Sequence, residues 1–343
     1  MKAVVIHAAK DLRIEERELE TLSENEVEVA IEAGGICGSD LHYYNHGGFG
    51  TVRVREPMIL GHEVAGTIKA VGEGVSHLVI GDRVAVSPSR PCNACAYCLI
   101  GQQNHCLNMR FYGSAMPMPH IQGAFRQRLI AEQWQCHKVG NEISINEAAF
   151  AEPLAVTLHA VVRAGSLAGK RVLVTGCGPI GALSIISARA HGAREIVATD
   201  VMDAVLTKAA EVGADRTINV ANAAAELASY AGSKGYFDVH FEASGNASAV
   251  RSGIEVLKPR SVLVQLGLGG DVSIPQNMVV AKEIEMKGTF RFHEEFGVAV
   301  DLINSRRVDL KPLLSGIYPL TEAVQAFEAA GDRSKSMKVQ LAF

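Results

Sequence analysis

The sequence contains four closely spaced cysteines whose thiols could bind one metal ion. Residues 91–106 read PCNACAYCLIGQQNHC, a C-x2-C-x2-C-x7-C spacing that contains Cys92, Cys95, Cys98 and Cys106. Four thiolates in so short a segment suit a closed tetrahedral zinc site of the structural kind. An iron–sulfur cluster and four unrelated buried thiols are the alternatives. Because all four cysteines fall in one short segment, we predict structural zinc.

A second set of metal-binding residue types is spread along the first half of the chain. Cys37 lies in GGICGSDLH, His62 and Glu63 follow one another in GHEVAG, and Glu152 lies in AEPLAV. Zinc accepts sulfur, imidazole nitrogen and carboxylate oxygen, and a catalytic zinc keeps three protein ligands and one open position. We therefore predict a Cys–His–Glu zinc site, with Glu152 as a further donor.

A glycine-rich loop in the second half has the spacing of a dinucleotide-binding site. The strand-like RVLVT is followed by Gly176, Gly178 and Gly181, then by a helical pattern and by EIVAT, which ends at Asp200. In this arrangement the glycines allow a tight turn, close approach to a pyrophosphate and close helix packing. A carboxylate at the end of the second strand binds ribose hydroxyls and repels a 2′-phosphate. The sequence therefore predicts NAD as the cofactor in preference to NADP.

Two kinds of element must position these residues. Strand-like and helical segments alternate over 148–288, which predicts a doubly wound parallel sheet of the Rossmann type. Further cofactor contacts are expected from Pro179 and Ile180 in the loop, and from Leu266 and Gly267 in a later glycine turn. Short strands and glycine turns over 1–147 predict an irregular β-barrel, which 289–343 is expected to complete.

Composition limits the function classes. The chain has 343 residues, enough for two domains, and a formal net charge of −4. This charge argues against a nucleic-acid-binding finger, and residues 91–106 contain no lysine or arginine. There is no apolar run of about 20 residues to span a membrane, and no secretory signal is evident, so we expect a cytoplasmic protein without a nucleic-acid or membrane partner.

The motifs together resemble those of the zinc-dependent medium-chain dehydrogenase/reductase family. GHE-x2-G-x5-G-x2-V is similar to the family signature around a catalytic zinc ligand, and the cysteine lobe and the glycine loop occur in the family's order. CGSDLHYY, MRFYGSAM, AEPLAV, GTFRF and LLSGIYPL resemble the polyol-dehydrogenase branch. The resemblance covers essentially the whole chain, and it implies that the predicted barrel is a GroES-like catalytic domain.

The resemblance implies roles for individual residues. Cys37, His62 and Glu63 match catalytic zinc ligands, and Glu152 matches a nearby carboxylate; which glutamate contacts zinc directly varies within the family. Ser39 and His42 match proton-relay positions. Ser39 as a helix N-cap and His42 as a solvated histidine are the alternatives. The positions that match the substrate pocket are Tyr43, Phe111 and Arg291, and Arg110 and His120 are additional candidates to bind a substrate carboxylate.

The expected activity is the reversible oxidation of a secondary alcohol with hydride transfer to NAD. The expected substrate is a sugar acid, L-idonate, with 5-ketogluconate as product, and a neutral polyol such as sorbitol or xylitol is the alternative. A non-catalytic nucleotide-binding relative is disfavoured because it would lack the zinc ligands. The family also implies a homo-oligomer, either a dimer or a tetramer.

One further motif is interpreted as a coincidence. Tyr230 and Lys234 match the Y-x-x-x-K pair of short-chain dehydrogenases. In those enzymes the pair must lie on a helix next to the nicotinamide, whereas here Gly232 interrupts a polar stretch. We therefore expect Tyr230 and Lys234 to lie at the surface without a catalytic role.

Overall fold

The computed structural model describes residues 1–343. Its first part is built mainly of short strands joined by tight turns. These elements are β1 (Lys2–Ala8), β2 (Asp11–Glu16), β3 (Glu26–Gly35), α1 (Gly38–His46), β4 (Gly48–Phe49), β5 (Val52–Arg53), β6 (Met58–Ile59), β7 (Glu63–Val71), β8 (Arg83–Val86), β9 (Ser89–Arg90), α2 (Ala96–Leu99), β10 (Arg110–Phe111), β11 (Arg128–Glu132) and β12 (Cys136–Lys138).

The second part alternates between helices and strands. It begins with α3 (Ile145–Ala148) and α4 (Ala151–Ala164) and continues through β13 (Arg171–Thr175), α5 (Pro179–Ala190), β14 (Glu195–Asp200), α6 (Asp203–Glu211), β15 (Arg216–Asn219), α7 (Ala224–Ala228), β16 (Phe237–Glu242), α8 (Ala247–Val256), β17 (Leu257–Gln265), α9 (Gln276–Ala281) and β18 (Glu285–Gly288). The chain then forms α10 (Glu295–Asn304), β19 (Leu314–Pro319), α11 (Ala323–Gly331) and β20 (Lys338–Ala342).

The alternating part forms a six-stranded parallel sheet with the order β15-β14-β13-β16-β17-β18. This is the strand order of a Rossmann fold, in which the order reverses at the first strand and opens a crevice for a dinucleotide. The strands β13 and β14 are the ones that RVLVT and EIVAT predict. The predicted fold class is confirmed, with the glycine loop between β13 and α5.

The strand-rich part is organised around β3. The main sheet has the order β12-β8-β7-β3-β20-β19, and β11 pairs with the first half of β3. β20 runs antiparallel to the second half of β3, and β19 runs parallel to β20. The last strands of the chain therefore complete the sheet begun by the first ones. α10 does not join this sheet but packs against α4.

Three large apolar clusters hold the fold together. The largest lies around α4, α5 and α10 and includes Phe150, Phe292 and Phe296. A second fills the strand-rich part, with Phe125 and Phe327 among its buried rings, and a third lies on the other face of the parallel sheet. No helix in the structure combines the length and the apolar character needed to cross a membrane.

Candidate active site

Three metal-binding side chains meet where β3 and β7 lie side by side. Cys37 follows β3, while His62 and Glu63 lie at the start of β7, and the antiparallel register pairs Gly35 with Glu63. The Sγ atom of Cys37, a ring nitrogen of His62 and a carboxylate oxygen of Glu63 all lie within 4.8 Å of one another. A Cβ at position 35 would lie 2.2 Å from Oε2 of Glu63, so this close approach requires a glycine.

The chemistry of this group fits a zinc ion. Zinc binds sulfur at about 2.3 Å and nitrogen or oxygen at about 2.0–2.2 Å, so its ligand atoms lie a few ångströms apart. Burial, with Glu63 nearby, raises the pKa of the Cys37 thiol to about 12; a bound metal ion would favour the thiolate. Nδ1 of His62 is buried without a hydrogen-bond partner. The carboxylate of Glu152 is not part of the 4.8 Å group.

Asp40 supports the ligands, although the sequence analysis did not single it out. Its side chain is fully buried. One carboxylate oxygen accepts a hydrogen bond of 3.0 Å from the backbone N–H of Cys37, and the other accepts one of 3.3 Å from Gly61 and lies 3.8 Å from Nδ1 of His62. Burial raises the pKa of Asp40. Because Asp40 contacts two segments that carry ligands, it fixes their relative positions, as carboxylates that hydrogen-bond around a metal site commonly do.

Lys338 is a second residue that the sequence analysis missed. Its ammonium donates hydrogen bonds of 2.8 Å and 2.7 Å to the two carboxylate oxygens of Glu63 and one of 3.3 Å to the carbonyl of Ile36. Both side chains of the pair are almost completely buried. Burial lowers the pKa of Lys338, but Glu63 outweighs it and the pKa is raised. The pair links β20 to β7 and holds the Glu63 carboxylate in place.

An aromatic ring and a guanidinium lie beside the metal-binding group. Phe111 lies 5.5 Å from the ring of His62, and the guanidinium of Arg291 lies 4.2 Å from the centre of the Phe111 ring. Arg291 forms no salt bridge, and its only hydrogen bond goes to the sulfur of Met116, at 3.6 Å. Burial raises the pKa of the Glu152 carboxyl to about 8. The hydroxyl of Tyr43 accepts a hydrogen bond of 3.1 Å from the backbone N–H of Ala115.

Ser39 and His42 both lie on α1. The helix begins with Cys37 as its N-cap, so Ser39 lies inside the first turn and the interpretation of Ser39 as the cap is wrong. His42 is exposed, and its ring lies 5.9 Å from that of Phe49. Residues three apart on a helix share a face. The Ser39 hydroxyl and the exposed His42 imidazole therefore lie on one side of α1.

Two candidate anchors are placed unfavourably for binding substrate. Arg110 precedes Phe111 in β10, and because neighbouring strand residues point to opposite faces, its exposed side chain points away from His62. The ring nitrogens of His120 are both engaged: Nε2 accepts a hydrogen bond of 2.9 Å from the backbone N–H of Arg55, and Nδ1 lies 2.8 Å from the carbonyl of Pro117. Of the three proposed carboxylate anchors, only Arg291 packs on the ring that contacts His62. Its guanidinium has no carboxylate partner in the protein.

The four clustered cysteines form a separate lobe around α2. Their sulfur atoms lie within 4.8 Å of one another, with separations of 3.5 Å between Cys95 and Cys98 and 3.4 Å between Cys92 and Cys106. A tetrahedral zinc site with bonds of about 2.3 Å places its sulfurs about 3.8 Å apart. Backbone and neighbouring hydrogen bonds lower the pKa of Cys92 to about 6. The arrangement fits one zinc ion.

The glycine loop has the shape that a dinucleotide requires. Gly176 has a φ of +82°, and a Cβ there would lie 2.7 Å from the backbone nitrogen of Ser244. A Cβ on Gly181 would lie 1.8 Å from the carbonyl oxygen of Gly176. Gly178 caps α5, and Pro179 and Ile180 form its first turn. The N-terminal end of α5 therefore lies beside the glycine loop, where phosphates bind.

Asp200 closes the loop from the end of β14. One of its carboxylate oxygens accepts a hydrogen bond of 2.8 Å from the backbone N–H of Cys177, and the other accepts bonds of 2.7 Å and 3.1 Å from Val201 and Met202. The side chain is buried. Asp200, which the sequence identifies by its spacing from the glycines, is therefore held in place where the adenosine ribose would lie.

Glu242 joins three loops around the crevice and was not predicted. Its fully buried carboxylate accepts hydrogen bonds of 2.9 Å from the backbone N–H of Ser244 and of Gly245, and one of 2.5 Å from the Gln265 amide. Its carbonyl accepts the N–H groups of Leu266 and Gly267 at 2.8 Å and 2.9 Å. The sequence does contain a signal for Glu242, because this acid ends a strand-like segment and is followed by a glycine turn.

The Y-x-x-x-K match does not form a site. The hydroxyl of Tyr230 accepts a hydrogen bond of 3.2 Å from Arg216, and its ring packs 4.9 Å from Tyr236 and 5.0 Å from Phe237. Gly232 and Ser233 break the local helical geometry, so Lys234 does not share a continuous helix with Tyr230.

Comparisons with known proteins agree with this geometry. Residues 23–141 match the alcohol dehydrogenase GroES-like domain family, and residues 179–305 match the zinc-binding dehydrogenase family. L-Idonate 5-dehydrogenase (NAD(P)+) of Escherichia coli K12 is 41% identical over 343 residues, covering 100% of this chain and 98% of that protein. The chain belongs to the zinc-dependent medium-chain dehydrogenase/reductase family.

Two further similarities cover nearly the whole chain. Sorbitol dehydrogenase of Gallus gallus is 37% identical to this dehydrogenase over 345 residues, covering 99% of this chain and 95% of the relative. The crystal structure of L-idonate 5-dehydrogenase from Escherichia coli K-12 superimposes with a TM-score of 0.96, covering 100% of this chain and 98% of the other. The protein is therefore an NAD(P)- and zinc-dependent dehydrogenase with a GroES-like domain and a Rossmann fold.

Proposed function

We propose that this dehydrogenase oxidises L-idonate, a sugar acid, to 5-ketogluconate, and that the reaction is reversible. The observation that carries the proposal is the half-buried, unpaired guanidinium of Arg291 next to the Cys37–His62–Glu63 group. A carboxylate is the natural partner of a guanidinium because it accepts two parallel hydrogen bonds. Arg291 would thus bind the acid group and leave a hydroxyl of the substrate facing the metal-binding residues.

We propose specific roles for the residues of the site. Cys37, His62 and Glu63 hold the catalytic zinc, with Glu152 as a nearby carboxylate, and the structural zinc is held by Cys92, Cys95, Cys98 and Cys106. A zinc ion held there would lower the pKa of the substrate hydroxyl, and a dinucleotide at the glycine loop would supply the hydride acceptor. Ser39 would accept the hydroxyl proton while passing its own proton on toward His42, and His42, exposed on the same face of α1, would release that proton to solvent. Phe111 and Tyr43 provide the walls of the substrate pocket.

The cofactor is proposed to lie across the glycine loop. Gly176, Gly178 and Gly181 allow its diphosphate to approach the backbone, Pro179 and Ile180 present the helix N-terminus, and Asp200 binds the ribose hydroxyls. Leu266 and Gly267, in the loop held by Glu242, would contact the nicotinamide half. We also propose a catalytic domain of residues 1–147 completed by 289–343, a nucleotide domain of 148–288, and a homodimer or homotetramer, which light scattering would test.

A substrate panel with both cofactors tests the proposal. We expect kcat/KM for L-idonate to exceed that for sorbitol, and 5-ketogluconate to be reduced with NADH or NADPH. In Arg291→Gln the advantage of L-idonate should fall by roughly tenfold or more, as expected for the loss of a charged hydrogen-bond pair, while sorbitol changes little. Equal kcat/KM values for L-idonate and sorbitol in the unmodified enzyme would refute the sugar-acid assignment.

A neutral polyol is the second candidate substrate. The observation in its favour is the 36–37% identity to the sorbitol dehydrogenases of three vertebrates over 96–99% of this chain. This alternative predicts a higher kcat/KM for sorbitol or xylitol than for L-idonate. It also predicts that Arg291→Gln affects the two kinds of substrate equally.

A further inference from the structure

The segment between α11 and β20 reaches the cofactor loop from the other half of the molecule. Nη2 of Arg333 lies 3.8 Å from Oδ2 of Asp200. It also lies 3.7 Å from the place that a Cβ on Gly178 would occupy. A single guanidinium therefore lies between the ribose-binding acid and the N-terminal end of α5.

The turn that carries Arg333 is held by its neighbour Asp332. The carboxylate of Asp332 accepts the N–H of Ser334 at 3.1 Å, and its carbonyl accepts the N–H groups of Lys335 and Ser336 at 3.1 Å and 2.9 Å. Lys335 directs its ammonium back to Asp332, at 3.1 Å. The two neighbouring cations therefore point in different directions: Lys335 points back to Asp332, whereas Arg333 extends from the turn toward the glycine loop.

The guanidinium of Arg333 has unused hydrogen-bonding capacity. It makes no hydrogen bond in the structure, and its side chain is 59% exposed. Asp200 does not use it, because a separation of 3.8 Å is too long for a hydrogen bond and both oxygens of Asp200 already accept backbone N–H groups. All five donors of the guanidinium remain free for a ligand.

The position of these free donors indicates the ligand group. In a Rossmann fold the acid at the end of the second strand lies at the 2′-oxygen of the adenosine ribose, and an arginine nearby accommodates a 2′-phosphate. This chain places both residues at the same point, the acid within the parallel sheet and the arginine on a segment that belongs to the other sheet. An acid alone would repel a 2′-phosphate, whereas an adjacent guanidinium offsets that charge and binds phosphate in a bidentate manner.

We propose that Arg333 binds the 2′-phosphate of NADP and thereby determines how tightly the enzyme binds NADP relative to NAD. This inference deepens the proposed function, since it assigns a role to one residue at the cofactor site. It also revises the preference for NAD that Asp200 alone predicts. Asp200 favours the free 2′-hydroxyl, and Arg333 supplies the alternative contact for the phosphorylated form.

Direct binding tests the proposal without turnover. Dissociation constants of the zinc-loaded enzyme are measured by calorimetry for NAD, NADP, 5′-AMP and adenosine 2′,5′-bisphosphate. Arg333→Gln should weaken NADP and the bisphosphate by roughly 10- to 100-fold, the loss expected for a charged hydrogen-bond pair, and leave NAD and 5′-AMP within about twofold. Arg333→Lys, which keeps the charge but loses the fork, should recover part of the affinity.

The turn that carries Arg333 also offers a control substitution, at Lys335. Lys335→Gln removes an equal charge from a side chain that is 79% exposed and faces Asp332, and it should leave all four constants unchanged. If Arg333→Gln weakens the binding of NAD and NADP equally, Arg333 binds the diphosphate that the two cofactors share. If neither dissociation constant changes, Arg333 binds neither cofactor. Either result refutes the inference. Because no substrate is present, failure of the L-idonate assignment would leave this result intact.

Discussion

The two metal-binding groups of this dehydrogenase are built in different ways. The four-cysteine lobe takes all its donors from one short segment, 92–106, and two of its four cysteines, Cys98 and Cys106, are buried. The Cys37–His62–Glu63 group is assembled from two paired strands, and its Glu63 carboxylate contacts Lys338 from a third strand. The lobe is a local unit, whereas the catalytic group depends on the register of the whole sheet.

Because of this difference, loss of the two metal ions should have different effects. A local lobe with four sulfur donors leaves no open position for a substrate, as in structural zinc sites. The catalytic group supplies three protein donors, and an unpaired arginine, Arg291, stacks on the Phe111 ring beside it. Disruption of the four-cysteine lobe should therefore change stability, and disruption of the Cys37–His62–Glu63 group should change activity.

Loss of Cys37 should have the largest effect on activity. Cys37→Ala removes one of three donors, so we expect kcat/KM to fall by more than about 100-fold, since loss of a supporting residue alone costs 10- to 100-fold. Metal analysis should show one zinc ion per chain instead of two. Cys136→Ala, at a buried cysteine outside both groups, is the control and should retain two. Full activity in Cys37→Ala would remove the catalytic assignment.

Lys338→Met tests whether the catalytic group is part of the protein core. The substitution leaves the Glu63 carboxylate buried without its partner, which costs about 3–5 kcal/mol of unfolding free energy. Urea unfolding of the metal-free protein should show this loss, and added zinc should reduce it because the metal then neutralises Glu63. The matched exposed variant Lys335→Met should change stability by less than about 0.5 kcal/mol. A Lys338→Met protein as stable as the parent would show that the ion pair contributes nothing.

Cys98→Ser should affect the lobe without affecting the chemistry. We expect zinc content to fall to one ion per chain and the Tm to drop, because structural zinc contributes directly to folding stability. The kcat/KM for the substrate should remain of the same order of magnitude. A loss of activity as large as that of Cys37→Ala would break the distinction between the two centres.

The smallest expected effect is a pH dependence that Glu152 gives to the catalytic region. Burial raises the pKa of Glu152 to about 8, so in the metal-free protein the folded state holds this proton more tightly than the unfolded state. The stabilisation is present below the ordinary carboxyl pKa and is lost as the pH rises through about 8. Glu152→Gln should flatten the decrease in unfolding free energy between pH 5 and 8. If Glu152→Gln leaves the slope of unfolding free energy against pH unchanged, Glu152 is not the group that causes this pH dependence.

Local patterns could be predicted from the sequence, and contacts between distant segments could not. Strands β13 and β14, the glycine loop and the cysteine lobe follow from spacing over a few dozen residues. Asp40 also lies near a predicted ligand, but an acid in a first helical turn has many ordinary uses. Lys338 and Arg333 become visible only when the tail has folded back onto β3 and the glycine loop, because no spacing rule connects them to Glu63 or Asp200.

The ion pair between Glu63 and Lys338 can form only at the end of synthesis. The two residues are 275 positions apart, whereas all four thiols of the lobe have been made by Cys106. Roughly 230 further residues separate Cys106 from Lys338, which takes about 10–50 s at translation rates of about 5–20 residues per second. A growing chain therefore presents a complete binding site for its structural zinc well before its catalytic carboxylate has a counter-charge.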